Sequence, residues 1–132
     1  MTEAATAPAA LAERRGSVLL ITINRPEARN AVNAAVSTAV GDALQEAQED
    51  PEVRAVVITG AGESFCAGAD LKAISRRENL FHPDHGDWGF AGYVQHYIDK
   101  PTIAAVNGTA FGGGTELALA WPPPSHMVCS PY

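Results

Sequence analysis

Short apolar stretches predict three β-strands along the chain. Aliphatic and β-branched residues dominate residues 17–23 (SVLLITI), 53–59 (VRAVVIT) and 102–106 (TIAAV). Gly16 precedes the first stretch, a glycine-rich loop follows the second, and Lys100-Pro101 introduces the third. Apolar runs of this length between turn-forming residues are typical of strands.

A helical pattern lies between the first two strands. Behind Asn33, a favourable N-cap, apolar residues recur at intervals of four and three: Val36, Val40, Leu44 and Ala47. This spacing predicts an amphipathic helix that ends at Asp50-Pro51.

The remaining segments complete an alternating order. We expect short helices at residues 71–76 and after the glycine triplet 112–114, and a helix with an aromatic face over 88–99. Residues 77–87 are polar and should form a mobile surface loop. The resulting order, β-α-β-α-α-β-α, predicts one α/β domain without internal repeats.

Composition narrows the classes of partner. The chain has 132 residues and a net charge of −6, without a cluster of basic residues, which argues against nucleic acid or an anionic membrane as partner. No apolar run could cross a bilayer.

Residues 1–15 lack a signal-peptide pattern and are expected to be a flexible tail. Two cysteines, Cys66 and Cys129, do not make a disulfide framework, so we expect a cytoplasmic, reducing location.

Two familiar kinds of site are disfavoured. The stretch Gly60-Ala61-Gly62 follows a strand, but Phe65 stands where a dinucleotide-binding loop needs its third glycine. His82 and His85 could suggest a metal site, but Pro83 breaks the helix that would align them. We therefore expect neither a metal nor a bound cofactor.

Small residues twice stand between a strand end and a helix, in CAGAD (66–70) and in GGGTE (112–116). Such residues let the backbone turn tightly and direct free N–H groups into a cavity. Two N–H donors on one oxygen would form an oxyanion hole, with Glu116 nearby as a general acid or base. Taken singly, each feature is more typical of an ordinary loop or of a surface glutamate than of a catalytic site.

Three stretches in this order are more specific: RPEARNAVN (25–33), AVVITGAGESFCAGADLKAI (55–74) and KPTIAAVNGTAFGGGTELALA (100–120). Together they resemble the enoyl-CoA hydratase/isomerase (crotonase) family, over roughly residues 16–120. The resemblance implies a spiral of ββα units, a CoA-thioester substrate and homotrimers or hexamers in full-length relatives. CoA would be part of the substrate, so no separate cofactor is implied.

The resemblance also assigns roles to residues. The oxyanion-hole amides would be those of Ala69 and Gly113, and Glu116 would handle water and proton. The substrate and its CoA would contact Ala67, Ala69, Asp70, Leu71, Lys72 and Gly113, with Lys72 placed to approach a phosphate.

The resemblance stops at Ala120. Residues 121–132, WPPPSHMVCSPY, are rich in proline and carry no acidic or basic side chain apart from the neutral His126. Three successive prolines cannot extend a helix, so we interpret this segment as a non-family tail produced by a change of reading frame, with a natural short tail as the alternative. The expected fold is then an incomplete crotonase-like α/β domain that lacks the C-terminal half, the second catalytic carboxylate and the trimerisation helices.

Three functions stay open at this point. An enoyl-CoA hydratase with little or no activity in this truncated form is favoured. An isomerase or another crotonase-fold reaction is the first alternative, because only one of the two hydratase glutamates remains. A non-catalytic CoA-binding or partner-binding remnant is the second. Neither the acyl chain nor the pathway follows from the residues.

Overall fold

The computed structural model describes residues 7–119 and 126–129. Its strands are β1 (Ala10–Arg15), β2 (Val18–Ile23), β3 (Ala55–Gly60), β4 (Ser64–Cys66), β5 (Thr102–Ala105), β6 (Thr109–Ala110) and β7 (His126–Cys129). Its helices are α1 (Ala34–Glu49), α2 (Leu71–Ser75) and α3 (Gly113–Ala118). The predicted α/β class is confirmed. In the described residues, no helix is long and apolar enough to cross a membrane.

A five-stranded sheet forms the main layer, in the order β1-β2-β3-β5-β7. β1 pairs antiparallel with β2, and the other neighbours pair in parallel. β7 falls within the segment 121–132 that was expected to be a tail unlike the family. The rest of that segment lies outside the described residues.

Strand β1 lies in the segment that was expected to be a flexible N-terminal tail. Residues 1–15 were predicted to be flexible, but Ala10–Arg15 pair with Val18–Ile23 across a turn at Gly16, whose φ is +63°. Most β1 side chains are exposed, since the strand lies at the end of the sheet. An edge strand of this kind lacks the apolar pattern by which the other strands were recognised.

Helix α1 confirms the predicted amphipathic helix. Asn33 caps it, its side chain accepting a hydrogen bond from the Val36 amide at 3.0 Å. The four residues of the predicted apolar face are buried: Val36, Val40, Leu44 and Ala47. They form one core with buried side chains of β2 and β3, among them Ile21, Ile23, Val56 and Ile58.

The helix predicted for residues 88–99 is wrong. Two 3-10 turns, Gly86–Trp88 and Phe90–Gly92, take its place. Gly89, Ala91 and Gly92 all have positive φ, which no α-helix tolerates. Residue 92 must be a glycine because it lies against α1, where an added Cβ would be 2.4 Å from the Ser37 carbonyl oxygen.

The loop expected at 77–87 is present, but it is anchored to α1 rather than simply solvated. His82 is buried, and its Nε2 lies 2.8 Å from the Asp42 carboxylate. The Asp84 amide donates to Nδ1, which places the histidine proton on Nε2. In the described part of the chain, no group of His, Cys, Asp and Glu side chains could hold a metal ion.

A second, two-stranded sheet positions the candidate site. β4 and β6 pair in parallel, Ser64 with Thr109 and Cys66 with Ala110. β4 leads into the CAGAD loop, and β6 leads into the glycine triplet. Because both strands end on the same side, the two loops emerge next to each other.

Candidate functional site

A cavity of about 720 Å³ lies where the two loops meet. Residues from three stretches of the chain line it: Arg25, Glu27, Ala28, Ala31, Ala67, Gly68, Ala69, Asp70, Leu71, Lys72, Gly112 and Gly113. Its volume is in the range of small-molecule sites. The structure therefore brings together six of the predicted site residues: Ala67, Ala69, Asp70, Leu71, Lys72 and Gly113.

The CAGAD loop is attached to the segment before α1 by backbone hydrogen bonds. The Val32 amide donates to the Gly68 carbonyl at 2.8 Å, and the Asp70 amide donates to the Val32 carbonyl at 2.9 Å. These two bonds form a parallel bridge between Val32 and Ala69. In such a bridge the N–H of Ala69 is directed away from Val32, and it makes no hydrogen bond with any described residue.

Asp70 joins this loop to both α2 and Arg25. Its Oδ1 accepts from the amides of Lys72, at 3.0 Å, and Ala73, at 3.3 Å, and so caps α2. Its Oδ2 lies 3.0 Å from Nη1 of Arg25. Burial raises the pKa of Asp70, but the hydrogen bonds from Ala73 and Arg25 outweigh it, so the pKa is lowered overall. Asp70 is therefore a carboxylate at neutral pH.

The glycine triplet is shaped by close backbone packing. An added Cβ on Gly114 would lie 2.0 Å from the Cys66 carbonyl oxygen, and one on Gly113 would lie 2.6 Å from the Phe90 ring. Gly112 has a φ of +49° and a ψ of −119°, which side-chain-bearing residues rarely adopt. Only glycine fits these three positions without a shift of the backbone or of Phe90.

The two loops touch at Gly68 and Gly113. A Cβ on Gly68 would lie 3.2 Å from the Gly113 nitrogen and 3.0 Å from the Phe111 carbonyl oxygen. The N–H of Gly113, like that of Ala69, has no hydrogen-bond partner within residues 7–119 and 126–129. Two backbone donors are thus available at neighbouring points of one cavity, where they could stabilise negative charge on an oxygen.

Glu116 is not brought into this cavity. It lies in the first turn of α3, its amide donates to the Gly112 carbonyl at 3.3 Å, and its side chain is exposed. Its catalytic role stays a prediction. Lys72 lines the cavity and is also exposed, so its side chain is accessible to a phosphate group of a ligand.

Sequence reasoning missed the wall formed by residues 25–31. Arg25 is the most consequential omission, since it is the charged partner of Asp70. It stands in the RPEARNAVN stretch that supported the family resemblance, but its contact with Asp70 spans 45 residues of sequence. A residue pattern does not show a contact of that range.

Known proteins match most of this chain. The family described as enoyl-CoA hydratase/isomerase matches residues 13–121. A carnitinyl-CoA dehydratase of Salmonella enteritidis is 52% identical over 109 residues, which cover 81% of this chain and 41% of that protein.

Solved structures are similar over nearly the whole chain. A carnitinyl-CoA dehydratase from Mycobacterium avium 104 superposes with a TM-score of 0.88 and 78% identity, over 94% of this chain and 47% of that one. An enoyl-CoA hydratase from Mycobacterium tuberculosis H37Rv gives a TM-score of 0.82 and 45% identity, over 93% and 46%. The predicted crotonase-like fold is confirmed, and the chain spans about half the length of the relatives it matches.

Proposed function

Since the chain belongs to the enoyl-CoA hydratase/isomerase family, we propose that its cavity binds a CoA thioester and polarises the thioester carbonyl. The donors are the N–H groups of Ala69 and Gly113. The observation that carries this proposal is that these two amides lack partners among the described residues and border one cavity.

The two donors favour chemistry that develops charge on the thioester oxygen. When water adds to C3 of a 2-enoyl thioester, the electron pair of the double bond moves toward the carbonyl and gives an enolate. Each N–H that contacts the oxygen then bonds more strongly, and one such donor contributes about 10²–10³ in rate. Protonation at C2 completes the 3-hydroxyacyl thioester.

The two cationic side chains that line the cavity have different proposed roles. Arg25 is engaged with Asp70, which leaves Lys72 as the cavity-lining cation that is available for a CoA phosphate. Leu71 is 77% exposed at the same edge and offers an apolar surface to the rest of the CoA moiety. Glu116 is the proposed acid or base for water, and its side chain is exposed to solvent.

The carnitinyl-CoA dehydratases among the relatives suggest dehydration as a second candidate reaction. Loss of water from a 3-hydroxyacyl thioester passes through the same enolate, so the oxyanion hole serves both directions. This second candidate differs in substrate, not in the assigned residues.

Calorimetric titration tests the binding proposal. Crotonyl-CoA should bind more tightly than its but-2-enyl thioether analogue, which differs only in lacking the carbonyl oxygen. Lys72→Gln should weaken the binding of both ligands, whereas Arg76→Gln, an exposed residue at the end of α2, should change neither. Equal affinity for thioester and thioether would contradict the oxyanion-hole assignment.

A hydration assay on the same sample separates the remaining functions. Measurable turnover that Glu116→Gln abolishes without loss of binding supports the hydratase. Movement of a double bond in a 3-enoyl thioester supports the isomerase alternative. Binding without turnover supports a non-catalytic CoA-binding remnant.

A further inference from the structure

We propose that Arg25 and Asp70 form a positioning pair that holds the Ala69 N–H toward the cavity. The inference rests on the proposed function, because it concerns the orientation of one of the two donors. The pair acts on the donor through the backbone on both sides of the Val32–Ala69 bridge.

The orientation of the Ala69 N–H is set by one peptide plane. That plane also contains the Gly68 carbonyl, and in a trans peptide the two groups point in opposite directions. The hydrogen bond from the Val32 amide to the Gly68 carbonyl, at 2.8 Å, therefore directs the Ala69 N–H away from Val32. If this bond opens, the donor loses its direction.

The bridge is an isolated pair outside any strand, so no regular ladder flanks it. A neighbouring backbone bond, from the Ala67 amide to the Arg29 carbonyl at 3.0 Å, connects the same two stretches of the chain. Residues 67–69 are alanine, glycine and alanine, which offer at most a methyl group for packing. Gly68 has a φ of +95°, which glycine adopts without strain, and it has no side chain that could restrain this peptide.

Arg25 ties together the two sides of this bridge. Its Nη1 donates to the Ala31 carbonyl at 2.7 Å, directly before Val32, and lies 3.0 Å from Asp70 Oδ2, directly after Ala69. The side chains of Arg25 and Asp70 are only 20% and 15% exposed. A pair with so little solvent contact is screened far less than a surface ion pair.

Asp70 has two separable roles. Oδ1 caps α2, and Oδ2 meets Arg25. Asparagine is as good an N-cap as aspartate, so Asp70→Asn should keep the helix cap while removing the charge. Arg25→Gln removes the other charge, and Arg25→Lys retains it.

Backbone ¹⁵N relaxation of the unliganded chain tests the pair. In the wild type we expect an order parameter of about 0.85 at Ala69, falling below about 0.6 in Asp70→Asn and in Arg25→Gln. Gly113 should be unchanged, Arg25→Lys should retain part of the order, and the double variant should be no worse than either single one. Arg76→Gln, which breaks the exposed Arg76–Glu78 pair near the end of the same helix, is the matched control.

An unchanged Ala69 order parameter in both single variants would overturn the inference. So would equal losses throughout the chain, which would show a general structural role. This readout requires no ligand, so it stands even if the wild type binds no CoA thioester, a result that would refute the proposed function alone.

A bound chromophore adds a functional readout. Polarisation of the carbonyl moves the absorption band of a conjugated dienoyl-CoA to longer wavelength. At saturating ligand, the wild type and Arg76→Gln should show the full shift, and Asp70→Asn a reduced one. A full shift in Asp70→Asn would contradict the positioning role.

Discussion

The two loops that supply the candidate donors are held in different ways. The CAGAD loop is fixed by polar cross-links, namely the Val32–Ala69 bridge and the Arg25–Asp70 ion pair. The glycine triplet has no side-chain cap, and close backbone packing shapes it. The first loop should therefore respond to the loss of charges and hydrogen bonds, and the second to added volume.

This difference follows from the residues next to each candidate donor. Asp70 stands next to Ala69, so a charged side chain can restrain the donor from one residue away. Gly113 has no side chain beside it that could do so, and its neighbours Gly112 and Gly114 restrain it only through conformation and contact. The two candidate donors are thus restrained differently, Ala69 by a charged side chain and Gly113 by backbone conformation and close packing.

Gly114→Ala should produce the largest effect. The new Cβ would lie 2.0 Å from the Cys66 backbone oxygen, which cannot move without displacing β4. We expect a loss of about 3 kcal/mol in the free energy of unfolding, measured in urea. Gly86→Ala, where nothing lies within 4 Å, is the control and should stay within about 0.5 kcal/mol of wild type. Equal effects of the two substitutions would contradict packing as the restraint.

Asn30→Ala tests the loss of buried hydrogen bonds, in contrast to the added volume of Gly114→Ala. Asn30 is fully buried, accepts from the Arg25 amide at 2.8 Å and donates to the Ala61 and Ser64 carbonyls. Losing these partners should cost about 2–3 kcal/mol in the free energy of unfolding. Because Asn30 has a φ of +59°, Asn30→Gly should be about 1 kcal/mol less harmful than Asn30→Ala. Identical urea midpoints for the two variants would exclude a backbone contribution.

Gly112→Ala sharpens the distinction between contact and conformation. Nothing lies within 4 Å of the new Cβ, but its φ of +49° and ψ of −119° are unfavourable for alanine. We expect a loss of about 1–2 kcal/mol and weaker binding of crotonyl-CoA. Gly16→Ala has a similar φ of +63° in the β1–β2 turn and should lower stability without affecting binding. Equal affinity of both variants for crotonyl-CoA would show that the conformation of Gly112 does not matter for ligand binding.

The smallest effect should be the acid sensitivity of Asp70. Its folded pKa lies below that of the unfolded chain, so its contribution to stability is fully present above the unfolded value, near pH ~4. That contribution is lost as the pH falls through the folded pKa. The urea midpoint of wild type should thus exceed that of Asp70→Asn at neutral pH, and the difference should shrink on acidification. A difference that is constant across this range would show that the charge is not responsible.

Local pattern predicted the parts of the fold that depend on neighbouring residues. The spacing of Val36, Val40 and Leu44 behind Asn33 was sufficient for α1, because cap and apolar face lie within a few turns. The helix predicted in the same way for residues 88–99 was wrong, because contact of Gly92 with α1 overrides the helical pattern. Local pattern also failed at β1, whose exposed side chains carry no periodic signal.

The candidate site was predictable only in part, for the same reason. CAGAD and the glycine triplet are recognisable because each motif is contiguous. Arg25 was missed because its role arises from a contact across the fold, and the exposure of Glu116 depends on how α3 sits on the small sheet. Long-range geometry, not residue type, determines both.

The most direct test of the central claim is an amide titration by NMR. ¹⁵N-labelled chain is titrated with crotonyl-CoA and, separately, with the but-2-enyl thioether analogue. If both amides donate to the thioester oxygen, the amide protons of Ala69 and Gly113 should both move downfield with the thioester, and neither should do so with the thioether. A shift of only one amide, or the same shifts with both ligands, would contradict a two-donor oxyanion hole.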